Sequence, residues 1–380
     1  MKARRTLRVV VPLGIGGASL GAAMMTPSLA SAQDPSLPII SRVELVQNML
    51  AAKPAPYSGT VVATSNLLGS ASSLASSAIP HISLPQGTAT VKMWRGIKDQ
   101  FRAQLLNSSS ERDLYVNGNA AWLWDSSTMS AVHLTMKSPR TAVAIDKKYS
   151  PAAFDPRTLA KEIVAKVSPY VNITRGQNNY IGGQPVYDLR LVPLDYSSLI
   201  RNINIYIDAN NWQVLGVNVV STASSTPVLS SEFSSIDFAT PSRSVFKFVP
   251  PQGTKVSNKA IAVASKNRNG VAVERVQNGL AMAKTFISSA SVGKVTTFGN
   301  GLTSVVVTGP GSYQSLVRKA GTKYHSLFAQ VFTKYETPFG MGKVLSTPLF
   351  NVMVLPNGQM IAGAVTLNQL AIDATMGYRP

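Results

Sequence analysis

The stretch INIYIDANNWQVLGVNVV, residues 203 to 220, limits what this chain can become more than any other. Ile203, Ile205 and Ile207 alternate with Asn204, Tyr206 and Asp208, Asn210 and Asn211 supply a turn, and Val217 and Val219 flank Asn218. Apolar residues at period two on both sides of a short polar turn predict a β-hairpin with one apolar face and one wet face. The apolar face has to be removed from water, at about 25 cal/mol per Å² of apolar surface.

The same texture runs through the front two-thirds of the chain. YSGTVVATS, TATVKMW, QFRAQLL, RDLYV, AAWLWD and SAVHLTM precede the hairpin, together with YVNITRG and PVYDLRLVP, and SSEFSSIDF and SVFKFVPP follow it. Asn117-Gly118-Asn119 predicts one more tight hairpin turn. Helices are few. Ser41 with Glu44 forms a capping box for a short helix whose stripe is Val43, Val46, Met49 and Leu50, and Asp155-Pro156 opens a second helix carrying Leu159, Ile163, Val164 and Val167. Residues 66–86, rich in Ser, Ala and Leu without a clear period, read as a mobile flap.

Two helices of about 18 Å each cannot lie flat over a sheet of nine or more strands, which at about 4.8 Å per strand exceeds roughly 40 Å in width. The sheet therefore has to curl around its helices, and a curled sheet only partly plugged tends to leave a hollow lined by apolar residues. By alternation, Val91, Met93, Phe101, Ala103 and Leu105 point inward with Leu189, Leu191, Ile203, Ile205, Ile207, Phe246 and Phe248. Period alone does not separate this lined hollow from an ordinary filled core.

After residue 256 the pattern changes to a polar, basic segment, 257–290, expected as a linker or partly helical stretch in which ERVQNGLAMAKTFI can turn helical. Residues 291–380 predict a small α+β unit. Its strands are GKVTTFG, LTSVVVTG, GKVLST, LFNVMVL and QMIAGAV, its long helix SYQSLVRKAGTKYHSLFAQVFTK, and its closing helix is capped by Thr366 with Gln369. Tyr313, Tyr324, Phe328 and Phe332 read as a core stripe on the long helix.

Residues 1–32 are read as a signal peptide. Lys2, Arg4, Arg5 and Arg8 precede a Gly- and Ala-rich apolar stretch, and Ala30-Ser31-Ala32 before Gln33 is a small-residue cleavage pattern, with the twin-arginine and ordinary secretory routes both open. The expected location is secreted, in the cell envelope. The net charge of +19 includes four positive charges in that leader; residues 33–256 carry +6 and residues 257–380 carry +9. Outside the cytoplasm such charge suits anionic membrane surfaces and argues against nucleic acid as the partner, although it also serves plain solubility. With no cysteine, packing alone has to hold the fold, and thiolate chemistry is excluded.

Residues that do chemistry are sparse. His81, His133 and His325 are too far apart for a local metal motif, no GxSxG elbow follows the leader, and Asp125, Asp188 and Asp208 sit at or near strand ends where turn roles suffice. Trp122 and Trp124 share one strand face, compatible with a ligand rim or with packing beside the second helix. No enzyme, cofactor or metal is expected.

NNYIGGQPVYDLRLVPLD, the 203–220 hairpin and FSSIDFATPSRSVFKFVPPQGTKV together resemble the second half of the LolA-like superfamily in its actinobacterial form. That superfamily includes the carrier LolA, LppX-type lipid carriers and the sensor RseB. The resemblance covers residues 38–256, and the final stretch from GKVLSTPLF onward resembles a small tail domain of some members. It implies an α+β fold: a curved antiparallel sheet forming an unclosed β-barrel with a helical lid over residues 33–256, plus a smaller α+β C-terminal domain. It further implies an exported carrier that shelters the acyl chains of a lipid or acylated protein. The alternative is an RseB-like sensor that binds lipid and reports to a transmembrane regulator of the envelope.

Overall fold

The computed structural model of the protein describes residues 34–72, 87–97, 99–106, 109–136, 155–261 and 295–377. The leader with its Ala32–Gln33 junction, residues 73–86 of the low-complexity insert, His81 and the expected helix at 274–287 lie outside them.

The first helix, α1 (Arg42–Ala51), starts where the capping box places it: the Ser41 hydroxyl accepts a hydrogen bond from the Glu44 N–H at 3.1 Å. Its buried residues are Leu45 and Met49, whereas Val43 and Leu50 of the expected stripe are 60% and 45% exposed. The apolar side is thus rotated toward Leu45. The second helix, α2 (Pro156–Val167), buries Leu159, Ile163, Val164 and Val167 as its period requires.

Thirteen strands form one large sheet. In chain order they are β1 (Tyr57–Ser65), β2 (Gly87–Arg95), β3 (Gln100–Leu106), β4 (Glu111–Asn117), β5 (Ala120–Asp125) and β6 (Ser130–Met136), then β7 (Val171–Arg175), β8 (Asn179–Ile181), β9 (Gln184–Pro193), β10 (Ile200–Asp208), β11 (Val214–Ser221), β12 (Pro227–Asp237) and β13 (Lys255–Ile261). They are ordered β13-β6-β5-β4-β3-β2-β1-β12-β11-β10-β9-β7, with β8 on β9. The two ends do not meet, so the sheet is curved and unclosed. Neighbours are antiparallel except β13, which runs parallel to β6. The 203–220 hairpin forms as read, its turn held by Asp208, whose Oδ1 accepts from the N–H groups of Asn210 and Asn211 at 2.9 Å each.

Three expectations are corrected. SVFKFVPP is not a strand: Arg243–Phe246 is a 3₁₀ turn, and the chain then crosses the outside of the sheet to reach β13. Leu67, Leu68 and Ala71, inside the supposed flap, are buried in the main apolar cluster, because they supply core side chains where β1 ends. The long helix of the tail is two, α3 (Ser312–Ala320) and α4 (His325–Val331), broken by Gly321 at φ +96°.

The tail sheet is six-stranded, ordered β14 (Thr296–Phe298), β15 (Val305–Val307), β19 (Met360–Gly363), β18 (Asn351–Val354), β17 (Gly340–Ser346), β16 (Thr333–Thr337), and closes with α5 (Leu367–Gly377). Alternation puts Met353 and Ile361 in a cluster with Leu370 and Ala374 of α5, and Val352 and Ala362 in the cluster that holds Leu316 and Phe328 of α3 and α4. That second cluster also contains α1, α2 and the apolar side of β9–β11.

Candidate functional site

Register builds the site. Residues opposite one another on antiparallel strands share a face, and two rows of this kind cross the front arm of the large sheet. One is Gly59, Met93, Ala103, Leu114, Leu123 and Val132; the next is Tyr57, Arg95, Phe101, Val116, Ala121 and Leu134. A third begins Val61, Val91, Leu105 and ends in polar Arg112, Asp125 and Ser130. Arg112 Nε donates to Asp125 Oδ2 at 2.8 Å, so an ion pair marks one rim of an apolar band, and Arg95 stands at the other. Burial works to raise the Asp125 carboxyl, but the Ser127 and Arg112 bonds together outweigh it and hold its pKa below the ordinary value.

Ten of the twelve residues expected inside share this inner face, in two groups. Leu189, Leu191, Ile203, Ile205 and Ile207 lie in the cluster with Leu45 and Met49 of α1 and Ile163 and Val167 of α2, a filled core. Val91, Met93 and Ala103 belong to a second cluster with Tyr57, Val61 and Phe233, against which Phe101 and Leu105 are half-buried. A third cluster continues the face through Leu114, Val116, Ala121 and Leu134, with Leu123 and Val132 half-buried beside it. Neither of the last two clusters contains a residue of α1 or α2. Six of their residues, Leu114, Val116, Ala121, Leu123, Val132 and Leu134, were not singled out from the sequence. The signal was the alternation in RDLYV, AAWLWD and SAVHLTM, which the two tryptophans obscured.

Phe246 and Phe248 are on the other side. A Cβ on Gly96 would meet Phe246, and Gly96 continues the outward series of Trp94. Phe248 packs on Tyr115, Trp122 and Trp124 with centroids 5.0, 5.3 and 5.9 Å away. Tyr115 and Trp122 belong to a row across the outer face, Trp94, Arg102, Tyr115, Trp122 and His133, and Trp124 to the next, opposite Asp113. Arg102 sits over Trp94 and Tyr115 at 4.7 and 4.5 Å, and His133 stacks on Trp122 at 4.4 Å. Arg102 and the Tyr115 hydroxyl both donate to Oδ2 of Asp113, which is 2% exposed. Burial pushes the Asp113 carboxyl up, against the opposing bonds of Tyr115 and Arg102. The tryptophans are therefore neither a ligand rim of the inner face nor neighbours of α2; their partner is Phe248.

Among the described residues no group of three His, Cys, Asp or Glu side chains is arranged to hold a metal ion, and no helix is long and apolar enough to cross a membrane. His325 is exposed at the start of α4.

No protein-family model and no curated protein matches the chain. Among solved structures, the Pseudomonas aeruginosa MucA/MucB complex contains a chain similar over 89% of this one and 98% of its own length, at 11% identity and a TM-score of 0.42. MucB in complex with MucA(peri) gives 13% identity, 90% and 99% coverage, and a TM-score of 0.40. A LolA superfamily protein from Nitrosomonas europaea covers 55% of this chain and 99% of its own, at 8% identity and a TM-score of 0.23. At these scores and identities the likenesses assign the chain to no family.

Proposed function

We propose that the protein is an exported carrier that holds an acyl chain, of a lipid or of an acylated protein, against the inner face of β2–β6. One observation supports the reading: this face presents in-register apolar rows over successive strands, and its clusters include no residue of the helices that fill the rest of the interior. An extended hydrocarbon chain needs a long apolar surface and few directional contacts; in these rows Phe101, Leu105, Leu123 and Val132 are half-buried and leave apolar surface for it, while their neighbours are already covered. The cationic tail sequence suits approach to an anionic membrane surface, where such a cargo would be collected or delivered.

The test has two arms. Organic extraction of the purified protein followed by mass spectrometry should recover a lipid, and a fluorescent fatty acid should bind saturably. Leu123→Gln, at a half-buried position of the middle row, should weaken that binding about fivefold, in line with roughly 1 kcal/mol of lost apolar contact. Absence of both extracted lipid and saturable probe binding would remove the proposal.

A further inference from the structure

The inner face ends in charge. Arg95 stands directly opposite Tyr57 on β1 and Phe101 on β3, its guanidinium carbon 6.0 and 5.2 Å from their ring centroids. Among the described residues the ion pairs are Arg102–Asp113, Arg112–Asp125 and Arg190–Asp188, and Arg95 belongs to none of them. Tyr57 is 6% exposed, with its ring edge-on to Phe233. Its buried hydroxyl makes no hydrogen bond of good geometry, and burial, with Asp155 adding to it and Arg95 opposing, pushes its pKa up and keeps it protonated. A buried, unpaired hydroxyl costs about 1–3 kcal/mol, which a ligand atom can restore.

The helix brings a second arginine to the segment that leads into β1. Arg157, in the first turn of α2, donates to the Ala52 carbonyl and to Gln213 Oε1 (2.7 Å), which pins it beside the segment leading into β1. Lys161 follows one helical turn later on the same side. The carboxylate of the group is Asp155, buried, its Oδ2 already taking the Thr158 hydroxyl at 2.7 Å. Arg157 and Lys161 thus stand on one side of the helix that Asp155 caps, beside the segment that leads into β1 and so to Tyr57. Burial first, then repulsion from Arg95, pulls the Arg157 pKa down, and burial with Arg157 does the same to Lys161, while Asp155 opposes both. Like charges held together at the end of an apolar surface are relieved by an anion.

We propose that Arg95, Arg157, Lys161 and the Tyr57 hydroxyl receive the anionic head, carboxylate or phosphate, of an amphiphile whose chain lies along the half-buried Phe101, Leu123 and Val132. This rests on the acyl-chain reading above and adds the headgroup to it.

The experiment is a displacement titration of the fluorescent fatty acid from the full chain by oleic acid, its methyl ester, oleoyl lysophosphatidic acid and inorganic phosphate. The acid is expected to bind about tenfold more tightly than the ester, the size of one charge-assisted contact. Arg95→Gln should erase that difference while leaving the ester unchanged, and Lys161→Gln, on a half-buried helix position, should reduce it if Arg95→Gln fails to fold. The tighter of the two anionic lipids identifies the head. Equal binding of acid and ester, or a loss of both on Arg95→Gln, overturns the head site alone; displacement by inorganic phosphate as effectively as by the lipids overturns the amphiphile in favour of a free anion. If neither acid nor ester binds, the acyl-chain reading falls and the head site with it.

Discussion

Gly59 shows how little slack the inner face has. It lies in the middle row on β1, and a Cβ there would come within 2.7 Å of the Ser235 carbonyl oxygen and 2.8 Å of the Phe233 ring. A carbonyl in a strand cannot swing aside, and Phe233 is fixed by Tyr57 at 5.3 Å. Gly59→Ala should therefore lower stability by about 1–3 kcal/mol through overpacking, read as a lower urea midpoint at unchanged slope. Buried acids give a second residue-scale prediction. Glu232 lies on the outer side of β12, where it and Tyr206 would both crowd a Cβ on Gly216. Burial raises its pKa, against a hydrogen bond from Asn218. A carboxyl whose folded pKa exceeds its unfolded value binds the proton more tightly when folded, so its ionisation costs stability as pH rises from the unfolded value through the folded one. Glu232→Gln should thus be more stable than wild type at pH 7.5, and the gain should vanish near pH 4, where both folded and unfolded wild type are protonated. Urea melts at the two pH values decide it; an equal gain at both would mean that ionisation is not the cause.

At the level of elements, the segment from Arg243 to β13 acts as a strap. Phe248 seats in the nest of Tyr115, Trp122 and Trp124, the Lys255 N–H bonds the Met129 carbonyl at 2.9 Å, and His133 Nδ1 meets Asn258 Oδ1 at 3.3 Å. Residues 255–259 are exposed on the edge of the sheet, so few side-chain contacts hold β13 beyond these. Phe248→Ala should release it, seen as trypsin cleavage after Lys255 or Lys259 at least about tenfold faster than in wild type, since an aromatic anchor is worth more than 1.4 kcal/mol. The sequence disclosed part of this architecture. Strands and caps were legible because they depend on local period and on residues three apart, as at Ser41 and Glu44. The strap was not: Phe246 and Phe248 carry a period of two, the pattern of a strand, but their partners lie across β3–β5, more than a hundred residues back. Likewise the inward rows could be read strand by strand, whereas the cluster of Tyr57, Arg95, Arg157 and Lys161 joins two strands and a helix and exists only once β1 and β2 pair. Which half of the inner face is filled depended on where α1 and α2 land, and neither helix states its target strands.

At the scale of the molecule, the two sheets are joined more closely than a basic linker between domains would suggest. The Leu199 N–H bonds the Ala364 carbonyl and the Thr366 N–H bonds the Ser197 carbonyl, both at 2.8 Å, and Ser221 Oγ donates to the Pro348 carbonyl at 2.5 Å. Gly301, at φ +60°, lies directly beneath the Tyr170 ring, where no side chain fits. One apolar cluster runs from Leu45 and Ile163 through Ile203 and Val219 to Leu316, Phe328 and Phe350. If removing either sheet uncovers the other's core, neither has much stability of its own, and unfolding should be cooperative across both. Calorimetry should accordingly show one transition with equal calorimetric and van't Hoff enthalpies. Gly301→Ala combines a strained φ with a collision against Tyr170, so it should lower that single Tm by several degrees, since about 1 kcal/mol moves the midpoint of a protein this size by about 2–4 °C. Two resolved transitions in wild type, with only the first moved by the substitution, would instead make the tail an independent unit docked on a self-sufficient front sheet. That outcome would also uncouple it from the front arm β2–β6, because β13 on β6 would then carry no stability shared with the tail.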